Sequence, residues 1–248
     1  MRLEKCCDIP HVDKYNLVMD YKELLREIYK DRLNKFDNDL FIKQYEDYIE
    51  KAVQDIDLLW FENIKKFKKG INVVILAEAP MWGNSGSYIY NPKSPETDFF
   101  KLKYLGQEHS IKYNSEKEQL IDLLLEKGIV FLDISPFPLN PSKTKVCYRN
   151  RSKKHDSILI GTKNYHKIIK ESFQTHLKPK LEEIYKVNNK KSPKFAYRYN
   201  TVMKMHKVLY EKCRNILPFP EANEVISIAY SGSGKYGAIN LDVLNNLI

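Results

Sequence analysis

Cysteine is scarce in this chain of 248 residues, and long apolar runs are absent. Cys6 and Cys7 are adjacent, whereas Cys147 and Cys213 are isolated, so the four cysteines form no disulfide framework. No apolar run approaches the roughly 20 residues that cross a bilayer, and residues 1–16 lack the apolar core of a secretory signal. We therefore expect a cytoplasmic protein with reduced thiols and no membrane partner.

Metal-ligand spacing is also missing from the histidines. His155, His166 and His176 lie far apart along a basic helical stretch. Lone histidines in such a stretch are typically exposed or lie near phosphates. The sequence therefore predicts no metal site.

Composition is ordinary for a globular protein, with 43% hydrophobic and 29% charged residues. The length suits one well-packed core. Apolar residues at helical spacing predict helices over Tyr21–Leu33 and Phe41–Leu59. We expect a monomeric single domain, residues 1–248, with a helical N-terminal part of about residues 1–69.

Positive charge is concentrated in one region. Residues 141–215 contain 20 Lys and Arg against 5 Asp and Glu, whereas residues 1–140 contain 20 against 24. Within this region, basic residues are clustered around Tyr148, at Lys143, Lys145, Arg149, Arg151, Lys153 and Lys154. Two interpretations have equal weight, a solvated lysine-rich face and a polyanion-binding surface for DNA.

Residues 72–92 organise the chain. A β-branched run, Val73–Leu76, predicts a buried parallel strand, and the glycines that follow it predict a loop at its carboxyl end. Ligands bind at this edge in open α/β sheets. The loop carries one carboxylate and several flat rings, at Glu78, Trp82, Tyr88 and Tyr90, which suits a planar substrate.

A second strand is predicted at Ile129–Leu132. It ends at Asp133, and three prolines then force an irregular loop, Pro136, Pro138 and Pro141. A helix that ends at Gly128 precedes the strand, so the unit is strand, helix, strand. In a parallel sheet, Asp133 and Glu78 would end at the same edge. Aspartate capping its own loop is the competing interpretation.

Two further strands are predicted, Phe195–Val202 and Val225–Ala229, with a helix between them and a short helix at Leu241–Leu247. The glycine- and serine-rich loop 230–237 allows a ligand to approach the backbone closely. Gly234-Lys235 is not a nucleotide P-loop, because Ala229 and Tyr236 stand where glycine and Ser or Thr are required.

The segment Glu78-Ala79-Pro80 resembles the first motif of the uracil-DNA glycosylase superfamily, in the branches that read Gly-Glu-Ala-Pro-Gly. Ala77 and Met81 replace the two glycines. The segment after Ile129 is similar to the superfamily's base-reading strand, with Asp133 in place of the usual asparagine. The second motif, commonly His-Pro-Ser, is represented only by Tyr230 or Ser231.

The resemblance implies a three-layer α/β/α sandwich around a four-stranded parallel sheet, and hydrolysis of the N-glycosidic bond of a flipped nucleotide in DNA. Its implied catalytic residues are Glu78 and Asp133. Implied base-binding residues are Ala79, Pro80, Met81, Tyr88, Tyr90 and Ser231. DNA-binding residues would be Lys143, Lys145, Arg149, Arg151, Ser233, Lys235 and Tyr236. The reaction needs no cofactor, and the adjacent pair Cys6-Cys7 lacks the spacing of the iron-sulfur cluster that some members carry.

Asp133 suggests which base is read. An ionised carboxylate only accepts hydrogen bonds, so it suits the N4 amino group of cytosine and opposes the O4 of uracil. The sequence thus predicts a C5-modified cytosine, with uracil as the other candidate, in repair or in defence against foreign DNA. Two other functions remain open, an inactive nucleic-acid-binding protein of the same fold and a small-nucleotide hydrolase or transferase.

Overall fold

The chain is built around a parallel β-sheet, in a computed structural model of the protein. The structure describes residues 23–24, 27, 38–82, 86–94, 117–137, 146–147, 158–159, 161–229 and 239–248. In chain order, its elements are α1 (Asn38–Ile64), β1 (Val73–Ala77), α2 (Lys117–Lys127), β2 (Ile129–Asp133), β3 (Val146–Cys147), β4 (Ile158–Leu159), α3 (Gly161–Ser172), a π-helical segment (Phe173–Leu177), α4 (Lys178–Val187), β5 (Lys194–Tyr197), α5 (Asn200–Met203), α6 (His206–Cys213), β6 (Ile226–Ser227) and α7 (Leu241–Asn245).

Four strands form the main sheet, in the order β2-β1-β5-β6, and every neighbouring pair is parallel. All residues of β1 and β2 are buried, as continuous apolar runs in a parallel sheet require. The predicted α/β class and the four-stranded parallel sheet are confirmed. The third and fourth strands are shorter than predicted, because the chain bends at Arg198 into α5 and pairs only at Ile226–Ser227 before a bridge at Ala229.

Helix α1 has 27 residues and covers the second predicted helix. Its buried residues recur at spacings of three and four, at Ile49, Val53, Ile56, Trp60 and Ile64. The predicted first helix is described only at residues 23, 24 and 27, which are helical. Among the helices of the described ranges, none combines the length and the apolar character that a membrane span requires.

Gly128 ends α2, as predicted, and connects it to β2. Its φ of +70° is a left-handed conformation, and a Cβ atom there would lie 2.9 Å from the backbone nitrogen of Asn72. Glycine is required at this position because a side chain would be both strained and obstructed. Ser115, which precedes this helix and belongs to the residue types that cap helices, lies outside the described residues.

A proline within a helical sequence predicts an interruption, and the helical stretch 161–187 contains Pro179. The structure differs from this prediction, because Pro179 lies in the first turn of α4, directly after the π-helical segment. Proline is tolerated in a first turn because its missing N–H has no partner there. The chain therefore stays helical through Pro179, and the irregularity is a π-helical turn.

A second, two-stranded sheet was not predicted. Strands β3 and β4 pair in parallel, with Val146 opposite Ile158 and Cys147 opposite Leu159. The two strands bracket residues 148–157, which include part of the basic cluster. This pairing of distant short segments has no local sequence signal.

Candidate functional site

Three charged residues end three neighbouring strands at the carboxyl edge of the sheet. Ala77 of β1 lies opposite Asp133 of β2, and Glu78 follows Ala77. Neighbouring strands are about 4.8 Å apart, so the two carboxyl-bearing residues belong to one small region. Arg198 follows β5, and its backbone N–H donates to the Leu76 carbonyl over 2.8 Å.

All three side chains are buried. Glu78 is 7% exposed, Asp133 is 4% exposed and Arg198 is fully buried, with its guanidinium 4.4 Å from the centre of the Tyr199 ring. Charged residues are almost never buried to this extent without a structural or functional reason. The carboxyl edge is therefore the strongest candidate site in the described part of the chain.

A hydrogen bond from α3 holds the segment that follows β1. The Tyr165 hydroxyl donates to the Glu78 backbone carbonyl over 2.8 Å. Ala79 and Pro80 are buried, whereas Met81 is half-buried beside them. The structure therefore fixes the backbone of the Glu-Ala-Pro segment at the sheet edge.

Asp133 has an unusual electrostatic environment. Its Oδ1 atom has no hydrogen-bond partner among the described residues. Burial raises the pKa of the Asp133 carboxyl from its ordinary 3.8 to about 7, against the opposing effect of Lys180. Near neutral pH the group therefore exists in both forms, and the cytosine preference argued from an ionised carboxylate applies only above about pH 7.

We expect Asp133→Asn to stabilise the protein in a pH-dependent way. Because folding raises the pKa of Asp133, its protonated form favours the folded state. This contribution to the free energy of unfolding is fully present below about pH 4 and is lost as the pH rises to about 7. The asparagine of the variant does not ionise, so the variant does not lose stability in this way. The free energy of unfolding of the variant, relative to wild type, should rise by roughly 2 to 3 kcal/mol between pH 5 and pH 8. Denaturant titrations at both pH values measure this difference.

Asp122→Asn is the matched control, since Asp122 is exposed on α2. Its effect on the free energy of unfolding should be small at both pH values. A pH-independent effect of Asp133→Asn would contradict the raised pKa.

A chain of buried polar groups leads away from Asp133. The His176 Nε2 donates to the Asp133 backbone carbonyl over 2.8 Å, and the His176 Nδ1 lies 3.2 Å from the Lys180 ammonium. Lys180 in turn pairs with Asp57 of α1 at 2.6 Å. Burial, followed by the Lys180 charge, lowers the pKa of His176 well below its ordinary value, so the ring is neutral. The chain ties α1 and α4 to the end of β2.

His176 corrects the sequence interpretation, which placed it on the surface. His176 and Lys180 belong to a buried stripe at spacings of three and four, with Phe173, Leu177, Leu181 and Ile184. That apolar periodicity was visible in the sequence and could have identified both residues as buried.

Tyr88 and Tyr90 lie beside Asp133 but inside the core. Their ring centroids are 5.6 Å apart, and both are at most 2% exposed. Burial raises the pKa of each hydroxyl, and the Asp133 charge raises both further. Both tyrosines are thus close enough to Asp133 to feel its charge, but neither presents an open face. Trp82, which is half-buried, is the more accessible ring.

Tyr90 completes the hydrogen bonding of the edge strand. Its hydroxyl accepts from the Phe131 N–H over 2.6 Å and donates to the Phe131 carbonyl over 3.3 Å. The Trp60 indole also donates to that carbonyl, over 3.0 Å. Among the strands that the structure describes, β2 is the last of the sheet, so these side chains take the place of a further strand.

We therefore expect Tyr90→Phe to destabilise the fold by about 1 to 3 kcal/mol, because it leaves the buried Phe131 N–H without its acceptor. Thermal unfolding measures the loss. Tyr185→Phe, at a half-buried tyrosine of α4, should change stability little. Equal effects of the two changes would remove Tyr90 from this role.

The remaining predicted site residues lie outside the described residues. They are Ser231, Lys143, Lys145, Arg149, Arg151, Ser233, Lys235 and Tyr236. Their base-binding and DNA-binding roles stay predictions.

Within the described ranges, no group of three or more His, Cys, Asp or Glu side chains is arranged to hold a metal ion. Comparisons with protein-family models, curated proteins and solved structures return no match to this chain. The function must therefore be argued from the geometry of the carboxyl edge.

Proposed function

We propose that the protein is a monofunctional DNA glycosylase that hydrolyses the N-glycosidic bond of a flipped pyrimidine, for repair or for defence against foreign DNA. The observation that supports this most is the location of two buried carboxyl-bearing residues at the carboxyl ends of adjacent parallel strands, Glu78 directly after β1 and Asp133 at the end of β2. A loop with a half-buried indole, Trp82, begins at the same edge.

The strand order supports the three-layer α/β/α arrangement of such an enzyme. Two connections cross the sheet in opposite directions. One runs from β1 through α2 to β2, and the other runs from β2 through α3 and α4 to β5. Right-handed crossovers then lie on opposite faces. Helices on both faces would leave the carboxyl edge of the sheet for a ligand.

Glu78 is the proposed water-activating group. A water molecule attacks the sugar carbon, the bond to the base nitrogen breaks, and the electron pair leaves with the base. The Glu78 carboxylate accepts the proton of the water, and its negative charge stabilises the oxocarbenium-like transition state. No metal is needed for this step.

Asp133 is the proposed base-reading group, and its protonation decides what it reads. The protonated carboxyl has one donor and one acceptor, which fits the O4 and N3–H of uracil. The ionised form fits the N4 amino group of a C5-modified cytosine. The leaving base carries negative charge, and protonated Asp133 would stabilise that charge. This role would compensate for the histidine that is missing from the second motif.

His176 does not replace that missing histidine. Its Nε2 is held by the Asp133 carbonyl, and its Nδ1 faces Lys180. The ring therefore has no free nitrogen directed at a substrate, and we assign it to positioning the end of β2.

Base release from DNA tests the proposed function. Purified protein is incubated with duplex and single-stranded oligonucleotides that carry uracil or C5-modified cytosine, and alkali then cleaves the abasic sites. Strand cleavage with one modified base, and none with unmodified DNA, is the expected result. Binding without cleavage for every base would favour the inactive nucleic-acid-binding protein.

The small-nucleotide alternative draws support from Arg198, a buried guanidinium at the same edge that could face a phosphate. A small-nucleotide enzyme should bind DNA weakly and with little dependence on salt. A glycosylase should bind DNA with an affinity that falls steeply as salt rises.

A further inference from the structure

A groove whose charged side chains are all lysines lies at the amino end of the sheet, away from Glu78 and Asp133. The loop before β1 and the turn before β5 form its walls, and its volume is about 460 Å³. Its charged side chains are Lys68, Lys69, Lys191 and Lys194, and no Asp or Glu side chain of the described residues lines it. All four lysines are exposed.

The walls of this groove are fastened to each other. The Asn188 side chain is buried, accepts from the Ile71 N–H and donates to the Ile71 carbonyl over 2.7 Å. The Lys194 N–H donates to the Asn72 carbonyl over 2.8 Å, and the Asn72 N–H donates to Gly128 over 2.8 Å. The lysines therefore project from a backbone that tertiary hydrogen bonds hold in place, which lowers the ordering cost of binding.

A second groove adjoins the first, and Asn189 lines both. It has a volume of about 1050 Å³ and is lined by four more lysines, Lys178, Lys186, Lys190 and Lys212, with Glu182 and Glu211. We call these eight lysines the amino-edge basic surface, which extends from the amino end of the sheet at Asn189 along α4 to Lys178, the first residue of that helix. Among the described residues, Lys186 is the one member that contacts a carboxylate, that of Glu183 at 3.5 Å.

We propose that the amino-edge basic surface binds the phosphate backbone of a nucleic acid, separately from the site at the carboxyl edge. Eight lysines with two lining glutamates form a strong local excess of positive charge, and phosphate contacts need only such charge. This inference extends beyond the proposed function and does not depend on catalysis.

The chemistry favours a nucleic acid over an acidic protein. Lysine is depleted in the cores of protein interfaces, which are usually organised around aromatic or aliphatic anchors. Exposed large apolar residues are few in the described ranges, at Leu58, Ile226 and Ile248, and only Ile248 lines either groove. With a second site at the opposite edge, one molecule could hold two nucleic-acid segments at once.

Charge reversal at Lys68, Lys69 and Lys191, each to Glu, tests the proposal. The control reverses Lys51, Lys170 and Lys207, which are exposed, line neither groove and change the net charge equally. The probe is a short unmodified duplex DNA, titrated at several salt concentrations. The groove variant should bind roughly tenfold more weakly. The slope of log affinity against log salt concentration should be less steep by about 2 to 3.

A capture assay separates this surface from the carboxyl edge. Protein bound to an immobilised duplex is offered a second, fluorescent duplex, and wild type and control should capture it whereas the groove variant should not. Equal affinity, salt dependence and capture in the groove and control variants would overturn the proposal. Salt-sensitive binding of polyglutamate, lost in the groove variant while DNA binding is retained, would also overturn it in favour of a protein partner.

Melting temperature and base release distinguish a loss of DNA binding from a loss of folding or of catalysis. If the groove variant melts below wild type, the triple Lys→Gln variant replaces it, since the amide keeps the length of a polar side chain without the charge. Base release from a single-stranded oligonucleotide should be unchanged in the groove variant. If wild type releases no base from any DNA, the proposed function fails, and duplex affinity with its salt dependence, compared between the groove and control variants, still decides the role of this surface.

Discussion

Glu78→Gln should slow base release by roughly 100-fold or more while DNA affinity stays nearly unchanged. The amide keeps the size and shape of the carboxylate but can neither accept a proton from water nor place a negative charge beside the sugar. Glu78 is buried at the end of β1, so water does not screen that charge, and its loss has a large effect. Single-turnover base release, with affinity measured separately, detects the change.

Glu62→Gln is the matched control, because Glu62 is an exposed glutamate of α1. It should release base at the wild-type rate. The same rate in Glu78→Gln would remove Glu78 from the mechanism, whereas equal losses of rate and affinity would make it a binding residue.

A large loss of fold stability is expected when the ion pair between Lys180 and Asp57 is broken, and its size depends on which partner is removed. The Lys180 side chain is 3% exposed and that of Asp57 is 26% exposed. Asp57→Ala leaves the buried ammonium without its carboxylate and should destabilise the fold by about 3 to 5 kcal/mol. Lys180→Met leaves a carboxylate that water still reaches, and should cost only about 1 to 2 kcal/mol.

The double variant separates the ion pair from packing. Removing both charges should recover most of the loss of Asp57→Ala, because no buried charge then lacks a partner. Urea titrations of the three variants measure these free energies. Lys186→Met, which removes the exposed partner of Glu183, should change stability by less than about 1 kcal/mol. Additive losses in the double variant would contradict the ion pair.

Lys180→Met has a further consequence at the candidate site. Lys180 opposes the rise in the pKa of Asp133, so its removal should raise that pKa further. Carboxyl carbon NMR of labelled Asp133 reads this shift directly. An unchanged pKa would mean that the buried chain from Asp57 does not affect the site electrostatically.

The sequence predicted the main sheet because its strands are encoded locally. The runs Val73–Leu76 and Ile129–Leu132 are too apolar for any position but a buried one, and a short β-branched run with a following loop has few other structures. Gly128 ended its helix as predicted, since a left-handed residue there excludes a side chain. The location of Glu78 and Asp133 at one edge follows from parallel pairing.

Features that depend on distant contacts were decided by the tertiary structure. Tyr90 was predicted to face a base, but its hydroxyl pairs with Phe131, 41 residues away, because an edge strand needs substitutes for its missing neighbour. His176 was predicted to be exposed or to lie near phosphates, and Lys180 was not singled out, but the fold buries both against Asp57 and the end of β2. A sequence pattern cannot show which charged residues meet a distant partner.

The local sequence thus determined the class of the fold, its strands and the edge that carries the two carboxyl-bearing residues. The tertiary structure alone decided the protonation of Asp133, which burial sets, and the amino-edge basic surface, whose first groove lies between two loops more than 100 residues apart. Hydrophobic periodicity is a property of neighbours in the chain, whereas the electrostatic energy of a group depends on everything that surrounds it in space.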